Sequence, residues 1–557
     1  MSTRETDQQA TAATALVAGL VAHGATHAFG VPGESYLAVL DALYDVQDTL
    51  PFITCRHEAA AANMAEAHGK LTGRPGICFV TRGPGATHAS IGVHTAYQDS
   101  TPMILFIGQV ARHMRGKEAF QEMDYHAFFG STAKWVVEVD DAADMSSVVA
   151  KAYHTAISGR PGPVVVSLPE DMLVDACTDT VTAPYSADIA APSDSEIVSL
   201  GGMLDRAARP LIMAGGSGWS KRAVAELEAF SAENNIPVCV SFRCQDRFDN
   251  THPNYVGDMG IGANPKLIKR MQEADLLLVL GPRLGEMTTD GYTRLTSEMT
   301  AKTMVHVHQG AEELGRVYEA ALSINASPVT MMAALKAMSI AKSDAWAEYA
   351  AAARADYTVW NTPLEMAGDV QLGAIYDYLN DTLGEDAVLT NGAGNYAGWL
   401  HRFYRYTTFP SQLAPTCGAM GYGVPAAIAA KITNPNREVV CFAGDGCFMM
   451  SSNELATAVQ YDANVIFLVF NNSILGTIRM HQERDYPERV SGTELKNPDF
   501  VAYAESFGAF AARVTNTDEF AVAFEAARGA NKPAVIEIMV ETDVLSPTTT
   551  ISALRGK

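Results

Sequence analysis

Residues 439–476, VVCFAGDGCFMMSSNELATAVQYDANVIFLVFNNSILG, hold the side chains best placed to do chemistry. One apolar run ends in Gly444-Asp445-Gly446, and a second ends in Asn471-Asn472. Both read as buried strands, joined by a helix with Ser451 as its expected N-cap and Glu454 as the capping-box partner. In a parallel sheet the two strands finish at one edge, the usual ligand edge, so Asp445 and Asn472 can meet there. A carboxylate, an amide oxygen and a nearby backbone carbonyl are hard oxygen ligands suited to Mg²⁺. Free N–H groups at a helix start suit phosphate oxygens, and glycines let the backbone approach without a Cβ in the way. The physical reading is a divalent ion bridging the protein to a diphosphate. A Gly-Asp-Gly turn alone is common; the strand-terminal Asn pair makes this one informative.

The elements that must position these residues recur along the chain. Short β-branched runs lead into Gly-rich turns and Ala-rich helical stretches, the pattern of parallel sheets with crossover helices. Residues 77–81 read as a buried strand turned into the next helix by Gly83-Pro84-Gly85, and 164–168 as the last strand of a first block. The polar stretch TDTVTAPYSADIAAPSDSE (178–196) then reads as a linker. A middle block is expected from strands at 210–214, 236–240, 275–280 and 304–308, with the Ala-rich segment 342–363 as a second boundary. The last block opens with a helix at 372–383 and continues with strands at 387–390, 438–442, 465–470 and 534–539. The expected fold is α/β, with three doubly wound parallel-sheet domains over residues 1–180, 190–345 and 365–550. The first and last blocks share a strand–turn–helix rhythm.

Composition narrows the class. At about 100–200 residues per domain, 557 residues suit about three or four domains. With 63 acidic against 40 Lys and Arg residues the formal charge is −23, which argues against nucleic acid or an anionic membrane as partner. No apolar run approaches the roughly 20 residues that span a bilayer. The opening MSTRETDQQA has no apolar core, so no secretory signal is expected. Eight cysteines without CxxC spacing suggest neither a disulfide scaffold nor a zinc site, but reduced thiols in the cytoplasm.

The GDG…NN pair resembles the thiamine diphosphate signature of the enzymes that use that cofactor. RHEAAAANMAEAHGKLTGRPG, TRGPGATH, FIGQV, AFQEMDY, SGRPGPVVVSLPED and CGAMGYGVPAA occur with it in the order of the acetolactate synthase-like branch. The three blocks are similar to that family's pyrimidine-binding, central and diphosphate-binding domains.

The resemblance implies roles. Glu58, in Arg56-His57-Glu58, matches the glutamate that activates the cofactor through its aminopyrimidine, and the Ala-rich residues 59–62 supply an apolar surround. Met420 matches the bulky residue that holds the cofactor bent, beside Gly418. Gly392, Gly394, Asn395 and Tyr396 match a second diphosphate-contacting turn; Gly444, Asp445, Gly446, Cys447, Asn472 and Gly476 complete the cofactor set. Asp445, Asn472 and the Ile474 carbonyl are the implied Mg²⁺ ligands, and Phe120 and Gln121 the substrate-facing pair. Glu34, Ile478 and His481 are implied in the substrate pocket.

Several positions depart from the synthases. His481 stands where synthases preferring 2-ketobutyrate carry Trp, Glu170 replaces a Lys, and Glu34 replaces a Gly. Residues 281–286 and His308-Gln309-Gly310 lack the pattern of FAD-retaining members, although the Gly-rich turn 215–218 remains, so FAD stays open but disfavoured. The turn 81–85 offers none of the paired His proton donors of simple decarboxylases, and His88 reads as structural or supporting. Poor proton delivery favours carbon–carbon ligation over aldehyde release.

The resemblance therefore implies decarboxylation of pyruvate or a close 2-oxo acid, then ligation to a second carbonyl. It implies a homodimer or homotetramer with active sites between subunits. A non-oxidative 2-oxo acid or acyl-CoA decarboxylase or acyltransferase is the alternative; a non-catalytic regulatory member is the alternative of another class.

Overall fold

Runs such as Met103–Gln109 and Ile466–Asn471 are buried along their whole length, because strands of a parallel sheet are covered by helices on both faces. A computed structural model of the chain describes residues 10–177, 184, 185, 187, 189–338, 340 and 344–556, in two compact units, Met1–Asp188 and Ile189–Lys557. The polar opening 1–9 and most of residues 178–183 and their neighbours in the expected linker lie outside the described residues.

The first unit carries one six-stranded parallel sheet. Its strands are β1 (Ala28–Gly30), β2 (Phe52–Thr54), β3 (Gly76–Val80), β4 (Met103–Gln109), β5 (Trp135–Glu138) and β6 (Pro163–Pro169). The spatial order is β2-β1-β3-β4-β6-β5. Helices Glu58–Thr72 and Gly83–Asp99 pack on each other beside it, so closely that a Cβ on Gly92 would lie 2.4 Å from the Ala62 methyl. Small residues at that crossing are what allow the approach.

The second unit contains two more sheets. The middle one comprises β7 (Pro210–Ala214), β8 (Val238–Ser241), β9 (Tyr255–Met259), β10 (Leu276–Leu280), β11 (Met304–His308) and β12 (Leu322–Asn325), ordered β12-β11-β10-β7-β8-β9. The last comprises β13 (Val388–Asn391), β14 (Gln412–Leu413), β15 (Val439–Gly444), β16 (Ile466–Asn471), β17 (Phe510–Val514) and β18 (Ala534–Met539), ordered β14-β13-β15-β16-β18-β17. Counted from its own first strand, the last sheet repeats the order of the first. The middle sheet is wound in a different order, its reversal falling between β7 and β10, and all three sheets are doubly wound. The three-sheet α/β architecture expected from the sequence is thus the observed one.

Two local expectations change. Within the segment expected to hold the second boundary, Asp344–Trp360 is a helix lying on the middle sheet's β9. Trp346, 1% exposed, donates from Nε1 to the Ala207 carbonyl at 2.9 Å, and Lys266 and Arg270 both bond Asp356. The end of the supposed first linker is also helical: Ser193 caps helix Asp194–Leu204 in a capping box with Glu196.

Middle and last sheets are tied by buried polar bonds. Arg243 donates to the Pro415 carbonyl and, at 3.0 Å, to the Gly392 carbonyl. Asp246 accepts the N–H groups of Ser411 and Gln412 at 3.0 and 3.1 Å. All eight cysteines are free thiols, and none of the described helices is long and apolar enough to cross a membrane.

Candidate active site

In the last sheet, β14 lies on one side of β13 and β15 on the other, so the chain's winding reverses between β13 and β15 and opens a crevice at the carboxyl ends of these strands. Register sets Asn391 beside Phe442 and Gly444 beside Phe470, so the turns after β13, β15 and β16 converge there. A cavity of about 290 Å³ occupies this place, lined by Asp445, Asn472 and Ile474 together.

Asp445 is 2% exposed, and both carboxylate oxygens are held. Oδ1 accepts the Gly446 N–H at 2.9 Å; Oδ2 accepts the Ser473 N–H at 2.9 Å and Asn497 Nδ2 at 2.7 Å. Burial pushes this carboxyl up from its ordinary pKa, while the Asn497, Gly446 and Ser473 donors pull it back. A buried carboxylate beside an amide and a backbone carbonyl suits a hard divalent cation, whose charge would offset that desolvation. The Asn472 side-chain oxygen accepts the Ile474 N–H at 3.3 Å. Its neighbour Asn471 faces the sheet instead, donating to Glu537 at 2.7 Å.

The turn that carries Asp445 differs from expectation. Gly444 ends β15, and the helix begins at once as Asp445–Met449, followed by a short 3₁₀ turn, Ser452–Glu454. Ser451 makes no capping box; its hydroxyl donates to the Gly421 carbonyl at 2.8 Å, and buried Glu454 accepts from Thr457. The competing carbonyl draws Ser451 away from the helix start. Close approach explains the glycines here: a Cβ on Gly446 would stand 2.8 Å from Leu475 Cδ2.

The same cavity is walled by Gly394, Asn395 and Tyr396 after β13, and by Gly418 and Met420 on another turn. Gly444, Gly446, Cys447, Gly476 and Ile478 also line it. Gly392 stands behind the wall: its N–H donates to the Tyr396 hydroxyl at 3.0 Å, and a Cβ there would meet Cys447 Sγ at 2.5 Å. The Tyr396 hydroxyl donates to Cys447 Sγ at 3.3 Å, and burial pushes the Cys447 thiol up. Thr477 holds Asn395 Oδ1 at 2.8 Å. His481 is not among the lining residues; it is exposed, and its Nδ1 accepts from Arg484 at 2.8 Å.

Helix Gly476–Asp485, which presents Gly476 and Ile478 to the cavity, is pinned by Glu483. This carboxylate, 1% exposed as a side chain, accepts two bonds from Arg555 at 2.5 and 2.7 Å and one from Arg479 at 2.7 Å. Hydrogen bonds from Arg555, the largest influence, hold its pKa down to about 2.

In the first unit, Glu58 opens helix Glu58–Thr72, whose N-cap is His57: the imidazole Nδ1 accepts the Ala59 N–H at 3.1 Å. The Glu58 side chain is 14% exposed, with Oε2 2.9 Å from His88 Nδ1. At the carboxyl edge of the same sheet, Arg82 is buried between Glu34 and Glu170 and bonded to both. Gln121 lies in a turn at φ +65°, its carbonyl accepting the Gly83 N–H at 3.0 Å, and Phe120 is 74% exposed. Neither sits on a helix.

Asn497, Arg243 and His88 are the site features that sequence reasoning missed or undervalued. Asn497 stands in a polar loop with no strand-end signal, and Arg243 reaches the site from another sheet. The Gly-rich turn 215–218 is filled by protein: a Cβ on Gly216 would meet the Gly281 carbonyl at 2.1 Å, and one on Gly218 would meet Gln309 at 2.5 Å. Close packing accounts for those glycines.

Comparison with known proteins agrees with this geometry. Residues 10–128, 199–335 and 392–538 match the N-terminal TPP binding domain, the central domain and the C-terminal TPP binding domain of the thiamine pyrophosphate enzymes. The chain is 31% identical over 555 residues to an acetolactate synthase of Mycobacterium bovis, covering 96% of this chain and 89% of that one. It is 31% identical to a probable acetolactate synthase large subunit of Methanocaldococcus jannaschii (95% and 92% covered). It is 28% identical to the acetolactate synthase isozyme 2 large subunit of Escherichia coli (94% and 95% covered).

Proposed function

Because this chain belongs to the thiamine pyrophosphate enzymes, in their acetolactate synthase-like branch, we propose that it decarboxylates pyruvate or a close 2-oxo acid and ligates the remaining fragment to a second carbonyl. The observation that carries this reading is the convergence of Asp445, Asn472 and Ile474 on one glycine-walled cavity.

The residues present fit the cofactor. Asp445, Asn472 and the Ile474 carbonyl would hold Mg²⁺, and Gly444, Gly446 and Gly476, which line the same cavity, would face a diphosphate bound there. When bound, thiamine diphosphate supplies the electron sink for the carbanion that decarboxylation leaves. Met420, half-buried in the cavity wall, is the residue that would brace the cofactor's bend. Glu58 would hold and exchange a proton at the aminopyrimidine. Leu475, Ile478 and Val544 give the cavity apolar walls against which the reacting carbon would sit. Gln121 would orient the donor, with exposed Phe120 beside it. Decarboxylation followed by ligation is redox-neutral, so this reading gives a flavin no electron to carry.

The same reading carries an assembly of at least two copies, with Glu58 of one copy serving the cavity of another; sedimentation velocity tests it. Cytoplasmic residence belongs to it as well, supported by eight free thiols. One observation favours a second reading of the donor. Arg82 is engaged by Glu34 and Glu170, so this edge keeps two carboxylates against one guanidinium, a balance that favours a donor with a basic tail.

The test is product identification with Mg²⁺, thiamine diphosphate and a panel of 2-oxo acids. Acetolactate from pyruvate is expected. Acetaldehyde alone would reject ligation, and faster CO₂ release from a basic-tailed acid would move the donor assignment to the second reading.

A further inference from the structure

Among the described residues, His57, Glu58 and His88 form the one cluster of three metal-type side chains, their ligand atoms within 4.8 Å of one another. The geometry does not suit a metal cage. The two imidazoles are stacked, centroids 4.5 Å apart and planes inclined by 29°, so their in-plane lone pairs run side by side instead of converging. His57 Nδ1 is already engaged by the Ala59 N–H, and His88 Nδ1 by Glu58 Oε2.

That arrangement suits proton movement. Glu58 is mostly buried, at 14% side-chain exposure, in a helix whose next turn is lined by buried Ala60, Ala61 and Ala62. A carboxyl so placed has little direct access to water. His88 is 51% exposed and touches Glu58 at 2.9 Å, so it stands between the carboxyl and solvent. Its Nδ1 meets Oε2, which leaves Oε1 for a ligand; Gly85, without a side chain, lies beside that oxygen, with an added Cβ 3.6 Å away. His57, fixed by its capping bond, gives the His88 ring a flat surface to rest on.

We propose that His88 relays protons between Glu58 and water, on a ring oriented by His57. The inference rests on the reading that Glu58 activates the cofactor. In one direction the Nδ1–H bond of His88 breaks as an O–H bond forms at Glu58 Oε2, and Nε2 takes a proton from a solvent water, which is left as hydroxide. The ring stays neutral and changes tautomer; no electrons are transferred. The reverse sequence returns the proton to solvent.

The experiment measures hydrogen–deuterium exchange at C2 of thiamine diphosphate in the Mg²⁺-loaded holoenzyme, by quenched flow and NMR, with cofactor affinity measured in parallel by calorimetry. His88→Ala is expected to slow exchange by about 100-fold while cofactor affinity stays within about twofold. Added imidazole restores part of the rate. His88→Gln, which keeps a hydrogen-bond donor but cannot pass a proton, is expected to be equally slow, and it serves if the Ala variant fails to fold. Exchange at the native rate in His88→Gln would overturn the relay, because orientation alone would then suffice. Glu58→Gln is the control for the underlying reading. If it exchanges at the native rate, the role of Glu58 fails; if it is slow while both His88 variants are fast, only the relay fails.

Discussion

Asn497 Nδ2 donates at 2.7 Å to Asp445 Oδ2 and at 3.0 Å to Asn471 Oδ1, so one loop amide ties the cavity's carboxylate to the end of β16. Groups behind a metal ligand orient it, and their loss weakens metal binding by about 10- to 100-fold. Asn497→Ala should therefore weaken Mg²⁺ uptake in the presence of thiamine diphosphate by that factor, read by titration calorimetry. Native affinity in this variant would mean that Asp445 is positioned by its backbone partners alone.

Gly392→Ala should destabilise the protein by about 1–3 kcal/mol, because the new methyl would lie 2.5 Å from Cys447 Sγ. Cys447→Ala removes that sulfur and should recover part of the loss, leaving contacts at 3.3 Å to the Ala419 carbonyl and the Tyr396 hydroxyl. The measurement is the unfolding midpoint of the two single variants and the double one. Strict additivity would reject the clash as the cause.

Glu483 gives an acid-sensitive tether. Its pKa is lowered from 4.5 to about 2 in the fold, chiefly by Arg555, so its contribution is complete above about pH 4.5 and fades as the pH falls through 2. Glu483→Gln should cost on the order of 3 kcal/mol at neutral pH, because Arg555 and Arg479 lose their counter-charge. The gap between variant and native protein should narrow below pH 4.5 in urea denaturation. A gap independent of pH would exclude the ion pair as its origin.

Glu170→Lys should change the donor preference. It replaces one of two carboxylates on Arg82 with a cation, reversing the charge of that edge. Discrimination between neutral-tailed and basic-tailed 2-oxo acids, taken as a ratio of kcat/KM, should shift toward the neutral one by about tenfold. An unchanged ratio would place Glu170 outside donor recognition.

Much of the architecture was legible because parallel strands buried on both faces are continuous apolar runs: Met304–His308 and Ala534–Met539 fall where the residues predict them. Edge strands were harder to read. Trp135–Glu138 and Phe510–Val514 are half-buried for most of their length and carry charged residues, so they lack that signature. Helix Asp344–Trp360 was not legible as a helix, because alanines dispersed among Asp, Glu and Arg do not reveal which face is covered. At the cavity, Asp445 and Asn472 were readable from their strand-end positions. Asn497, Arg243 and the His88–Glu58 contact were not, since each depends on how separate elements pack, and no local spacing encodes that.

The Arg243 guanidinium is the feature with the widest reach. It leaves the middle sheet to grasp the carbonyls of Gly392 and Pro415, the turns that flank the cofactor cavity. The central block is therefore more than a spacer. A fragment cut ahead of the last sheet would lose this strut, and a middle block borrowed from a relative would transplant poorly unless it brought an equivalent arginine. Selection on one sheet is, through Arg243 and its neighbour Asp246, selection on the other.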